Sequence, residues 1–134
     1  MKLRYIFLII CVVIIAVAVY LFLTFCDMYT VKAVAVESGT TVDKSEVTGR
    51  LDFGEVLQGE QVTRTVVLEN AGDNDHSIRI WMIGSITQAI DIEPGTSFEL
   101  EAGTRQDVDF TLTMPDSASE GKKLSGRVII VKLP

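Results

Sequence analysis

The stretch Asp107-Val108-Asp109-Phe110-Thr111-Leu112-Thr113-Met114 alternates without a break. Val108, Phe110, Leu112 and Met114 fall on one side, and Asp107, Asp109, Thr111 and Thr113 on the other. A period of two places an apolar face against a core and a polar face in water, so this stretch predicts a strand. Pro115 cannot donate to a sheet ladder and ends it. Gln61–Glu69 behaves the same way, with Val62, Val66 and Leu68 opposite Thr63, Thr65 and Glu69. So does 77–83, where Ile78, Ile80 and Met82 oppose Arg79, Trp81 and Ile83.

Working outward, further strands are predicted at 30–37, 46–53, 90–92, 97–101 and 125–133. Turn-forming residues separate them: Ser38-Gly39-Thr40, Asn70 to Asp75, Pro94-Gly95 and Ala102-Gly103-Thr104. No window after residue 30 holds helical spacing. The spacing predicts a mainly β fold, a single immunoglobulin-like antiparallel β-sandwich of seven or eight strands. A small β-barrel is the alternative.

The N-terminal segment is of another kind. Residues 5–25 hold 20 hydrophobic residues out of 21, Thr24 being the exception. As a helix this run reaches about 31 Å, close to the roughly 30 Å hydrocarbon core of a bilayer. In lipid the backbone must satisfy its own hydrogen bonds, so its Ile and Val residues are carried by a helix. Lys2 and Arg4 precede the run and Asp27 follows it, which predicts a cytoplasmic N-terminus and an extracytoplasmic C-terminal domain. A cleaved signal peptide is the rival reading. Its apolar core would run to only about 7–15 residues. A lipoprotein site at Cys26 would need a small residue where Phe25 stands. The expected organisation is a short cytoplasmic segment (1–4), a transmembrane helix (5–26), a membrane-proximal strand and connector (27–49, first strand from about 30) and the sandwich (50–134).

The chain carries 12 basic and 18 acidic residues, a net charge of −6. After Cys26 there are ten basic and eighteen acidic residues, a net of −8. Nucleic-acid partners are excluded, because phosphate neutralisation needs clustered Lys and Arg. The two cysteines, Cys11 and Cys26, belong to the apolar segment and its outer edge, so the sandwich has no disulfide. His76 is the only histidine. Beside Asp73, Asn74 and Asp75 it reads as turn chemistry, because the fixed spacing and bidentate acid of a calcium loop are missing. Asp107/Asp109 and Glu99/Glu101 are explained by strand alternation. With no nucleophile, phosphate-loop or dinucleotide motif, no enzyme activity, metal or cofactor is expected.

One part of the chain resembles a known family. Leu51-Asp52-Phe53-Gly54-Glu55-Val56, then Gly59-Glu60, then Val66-Val67-Leu68-Glu69-Asn70-Ala71-Gly72, is similar to the opening of ASH/DUF1573-like immunoglobulin-like domains, relatives of major sperm protein and PapD sandwiches. Leu100-Glu101-Ala102-Gly103, Val108-Asp109-Phe110, Met114-Pro115 and Gly121 continue the likeness, which spans about 50–133. Members of the DUF1573 group often carry cysteines after the third strand. Gly84-Ser85-Ile86-Thr87 has none, so no redox or metal role carries over. The resemblance implies a fold, and such folds host many functions.

The expected function is that of a membrane-anchored, extracytoplasmic interaction or scaffold module, an accessory subunit of an envelope or membrane-protein assembly. Its expected partners are membrane lipid through the helix, and other envelope or membrane proteins. A PapD-like assembly chaperone and a carbohydrate- or ligand-binding module are the alternatives. Two surfaces are candidate docking sites. One is Arg79, Trp81 and Ile83, Trp and Arg being frequent interface anchors. The other is the last strand around Ile130, if that strand lies at a sheet edge. Trp81 has a competing reading as a core filler, common for a sandwich tryptophan.

Overall fold

Helix α1 spans Lys2–Phe25, and strand β1 begins at the next residue and covers Cys26–Val36. This is a computed structural model, and it describes residues 2–36 and 51–134. Helix α1 is long and apolar enough to cross a membrane, and none of that span is buried against the rest of the chain. The Thr24 hydroxyl is satisfied within the helix, Oγ1 donating to the Tyr20 carbonyl at 2.8 Å.

The remaining strands are β2 (Asp52–Leu57), β3 (Gln61–Glu69), β4 (His76–Gly84), β5 (Ile90–Glu93), β6 (Ser97–Leu100), β7 (Arg105–Thr113) and β8 (Lys123–Leu133). They form a five-stranded sheet ordered β2-β1-β8-β4-β6 and a three-stranded sheet ordered β3-β7-β5. The molecule is therefore a two-sheet β-sandwich preceded by one apolar helix. All pairs are antiparallel except β1 with β2. A connection as long as 37–51 permits that parallel pair, where a tight hairpin would forbid it.

The inner faces follow the alternation. Val31, Ala33, Ile78, Ile80, Val128 and Ile130 of the larger sheet meet Val66, Leu68, Val108, Phe110 and Leu112 of the smaller one, all buried. Leu51, Ile86, Met114, Ala118 and Leu124 are buried with them.

Two strand expectations change. The first strand starts at Cys26 rather than near residue 30, and it is an internal strand of the larger sheet. The reason is its neighbour: β8 pairs with β1 from Cys26↔Val131 to Val34↔Lys123, and an apolar β8 without that partner would leave a row of open backbone groups. Asp27, which marks the end of the apolar run, forms an ion pair with Lys132 of β8 at 3.0 Å. The strand expected to end at Phe53 runs through Gly54 to Leu57, because β1 pairs with it as far as Val36↔Leu57; its expected start at 46 and the break expected at Ser38-Gly39-Thr40 lie outside the described residues.

Between β3 and β4, one buried side chain holds the loop from within. Asn70 is the one buried polar residue among those described. Its Nδ2 donates to the carbonyls of Asn74 (2.8 Å) and Leu100 (3.0 Å), and its Oδ1 accepts from the Gly72 amide (3.1 Å). The backbone of Asn70 also pairs with Thr104 and Gly103, joining this loop to the β6–β7 turn.

Candidate functional site

Strand β4 turns its even residues inward, so Arg79, Trp81 and Ile83 stand on the outside of the five-stranded sheet. Trp81 is 59% exposed and Ile83 61%. The core reading of Trp81 is overturned because Ile78 and Ile80 already fill the inner positions of this strand, both buried.

The register shows what stands beside these residues. Trp81 is opposite Ile129 of β8, and Ile129 is opposite Met28 of β1, so the three form one transverse row. With strands about 4.8 Å apart, the row is about 10 Å wide. One row nearer the helix lie Arg79, Val131 and Cys26, and one row farther lie Ile83, Arg127 and Thr30. Met28 and Leu133 are exposed large apolar residues on the same face. Beyond them come Lys32 and Lys123, which flank a shallow groove between β1 and β8.

The charge distribution on this face is uneven. The outward positions of β1, β8 and β4 carry Lys32, Lys123, Arg127 and Arg79, and no carboxylate. Acids return only on the edge strands, as Asp52 and Glu55 of β2 and Glu99 of β6.

The other side of the sandwich is the reverse. The outward positions of β3, β7 and β5 hold Glu69, Asp107, Asp109, Asp91 and Glu93. Their one cation, Arg105, is paired with Glu69 at 3.1 Å. Thr63 and Thr111 share a hydroxyl hydrogen bond of 2.9 Å, and Thr65 donates to Asp109. Val67 is the single exposed large apolar side chain there.

The second expected docking surface is corrected. Ile130 is fully buried, and β8 lies between β1 and β4 rather than at an edge. Four apolar residues in a row, Val128 to Val131, hide which parity faces the core. Pairing on both sides of β8 settles it, with Val128 and Ile130 inward and Ile129 and Val131 outward. Met28, Ile129, Arg127, Lys32 and Lys123 were not found from the sequence, because they join Trp81 only through cross-strand register.

His76 is half-buried, with Nδ1 enclosed and unpartnered. Asp75 serves as a loop latch, its Oδ1 accepting from the Ala102 amide at 2.9 Å. Among the described residues, no three His, Cys, Asp or Glu side chains converge as metal ligands would. Cys11 and Cys26 are free thiols.

No family model, curated protein or solved structure matches the chain.

Proposed function

We propose that this chain is a single-pass membrane protein that holds a non-catalytic immunoglobulin-like sandwich just outside the cell membrane. There it serves as an interaction module, an accessory subunit of an envelope or membrane-protein assembly. The segment with Lys2 and Arg4 faces the cytoplasm. The ASH/DUF1573-like likeness belongs to this proposal as the family of the sandwich.

The observation that carries the reading is the junction. Helix α1 ends at Phe25, β1 starts at Cys26, and β1 is hydrogen-bonded on both sides within the larger sheet. No linker separates the two, so the sandwich can lean at the junction but cannot move away from the helix end. A spanning α1 keeps the domain at the bilayer, where only neighbours anchored in or lying on the same membrane are within lateral reach.

Two measurements test it. Protease added to intact spheroplasts should remove the sandwich and leave a short protected fragment containing α1. Protection of the sandwich would reverse the topology. The full chain, solubilised in mild detergent at native abundance, should migrate as a complex larger than one copy in a micelle, with a neighbour that captures it in the reciprocal purification. A lone copy under those conditions would overturn the assembly role.

A further inference from the structure

We infer that the outer face of the five-stranded sheet docks on the anionic headgroup layer of the membrane that α1 spans, with Trp81 at its centre. The inference rests on the proposal that α1 is a membrane span, and it gives the Arg79–Trp81–Ile83 site a partner.

Charge is the first argument. The sequence after Cys26 has a net charge of −8, yet the central strands of this face present four cations and no carboxylate. An anionic surface attracts the centre of this face, whose three acids, Asp52, Glu55 and Glu99, stand only on its edge strands, and repels the more acidic opposite face, so the domain is oriented as well as held.

Chemistry is the second. Tryptophan favours the boundary between headgroups and acyl chains, and here it is flanked by exposed apolar side chains with cations around them. Position is the third. At about 3.3 Å per residue, Met28 lies within about 10 Å of the end of α1, so a lean of the sheet at the Phe25–Cys26 junction lays the row on the headgroups. The tether makes this docking intramolecular, and a weak attraction is then enough.

A second copy fits the face less well. Face to face, it would set four cations against four. Face to back, it would match cations with carboxylates but leave Trp81, Ile129 and Met28 against hydroxyls and carboxylates, with Val67 the one exposed apolar neighbour.

Trp81 is the only tryptophan of the chain and therefore reports on this site alone. The test reconstitutes the full chain in phosphatidylcholine vesicles with and without phosphatidylglycerol. Emission is read with acrylamide and, separately, with a headgroup nitroxide lipid as quencher. With phosphatidylglycerol, Trp81 should be shielded from acrylamide and quenched by the nitroxide. In about 1 M salt, where the screening length falls to about 3 Å, both effects should fade. An arginine near an anionic surface strengthens attachment roughly fivefold. Arg79→Glu with Arg127→Glu should therefore lower the docking equilibrium constant at least about 20-fold, while Arg79→Lys with Arg127→Lys keeps it. Both arginines are exposed, and retained strand protection in hydrogen exchange confirms folding of the variants. If the chain floats with vesicles but Trp81 stays open to acrylamide and unquenched by the nitroxide, the inference falls and the span stands. Shielding without nitroxide quenching, independent of phosphatidylglycerol, would mean a protein cover and also overturn it. A chain that does not float with vesicles overturns the span and the inference together.

Discussion

Replacing Asn70 by alanine should cost the sandwich far more than a loop residue ordinarily does. The side chain is 3% exposed and makes three hydrogen bonds to backbone groups, at 2.8, 3.0 and 3.1 Å. A typical protein hydrogen bond contributes about 1 kcal/mol net, and a buried acceptor left unpaired costs about 1–3 kcal/mol. The Leu100 carbonyl, which faces His76 in the β4–β6 ladder, loses its second, buried donor. The expected loss is therefore about 3–4 kcal/mol, a large part of the roughly 5–15 kcal/mol that holds a small domain. Asn70→Asp separates hydrogen bonding from volume. It keeps an acceptor for the Gly72 amide but turns oxygen toward the carbonyls of Asn74 and Leu100, and should cost at least as much as alanine. The assay is urea unfolding of the full chain in micelles, followed by hydrogen exchange of peptides from β3, β6 and β7. Loss of protection should be largest in the 70–76 and 101–105 turns. A cost below about 0.5 kcal/mol for Asn70→Ala, or an aspartate variant as stable as the parent, would refute the latch.

Phe110 is fully buried at the centre of β7, so Phe110→Ala should destabilise by about 3–5 kcal/mol in the same urea assay. Gly126 pairs with Gly84, and a Cβ there would overlap the Ile83 carbonyl oxygen. Gly126→Ala should thus lower stability by about 1–3 kcal/mol through strain between β4 and β8, visible as faster amide exchange in 82–86. Aspartate at Ile130 should unfold the domain, whereas aspartate at Ile83 should leave urea stability within about 0.5 kcal/mol of the parent. Equal effects at the two positions would contradict the assigned faces of β8 and β4.

Much of the fold was legible because alternation is a local signal. β3 and β7 could be read residue by residue, since Thr and Asp marked one face and Val, Leu and Phe the other. What escaped depended on neighbours distant in sequence. The start of β1 was masked by Asp27, which reads as the residue leaving the membrane. Its strand character comes from β8, about a hundred residues later, which pairs with it residue for residue. Ile130 was misplaced for the same reason: an apolar run has no polar residues to show its parity, and only strand order identifies β8 as central. At Trp81, the strand's own parity pointed outward while the habit of sandwich tryptophans pointed inward, and parity prevailed.

The sites where alternation fails are themselves informative. An antiparallel sheet with one face in water ordinarily separates apolar from polar along each strand. The smaller sheet does this, with polar side chains on every outward position of β3 and β7 except Val67. The larger sheet does not. In β8 the outward Ile129 and Val131 interrupt the polar positions, in β4 Trp81 and Ile83 do so, and in β1 Met28 does. These five residues fall into three adjacent rows at the end of the sheet that joins α1, while farther rows carry Lys32 and Lys123. One domain thus follows the solvent rule on one side and departs from it on the other, in a patch next to its apolar helix. Exposed single apolar residues need no explanation, but Trp81, Ile83 and Met28, exposed around a half-buried Ile129 and a buried Val131, form a register-matched group that does. A non-aqueous or interfacial environment over that face, at the level where the helix ends, accounts for both the apolar rows and the absence of acids among them.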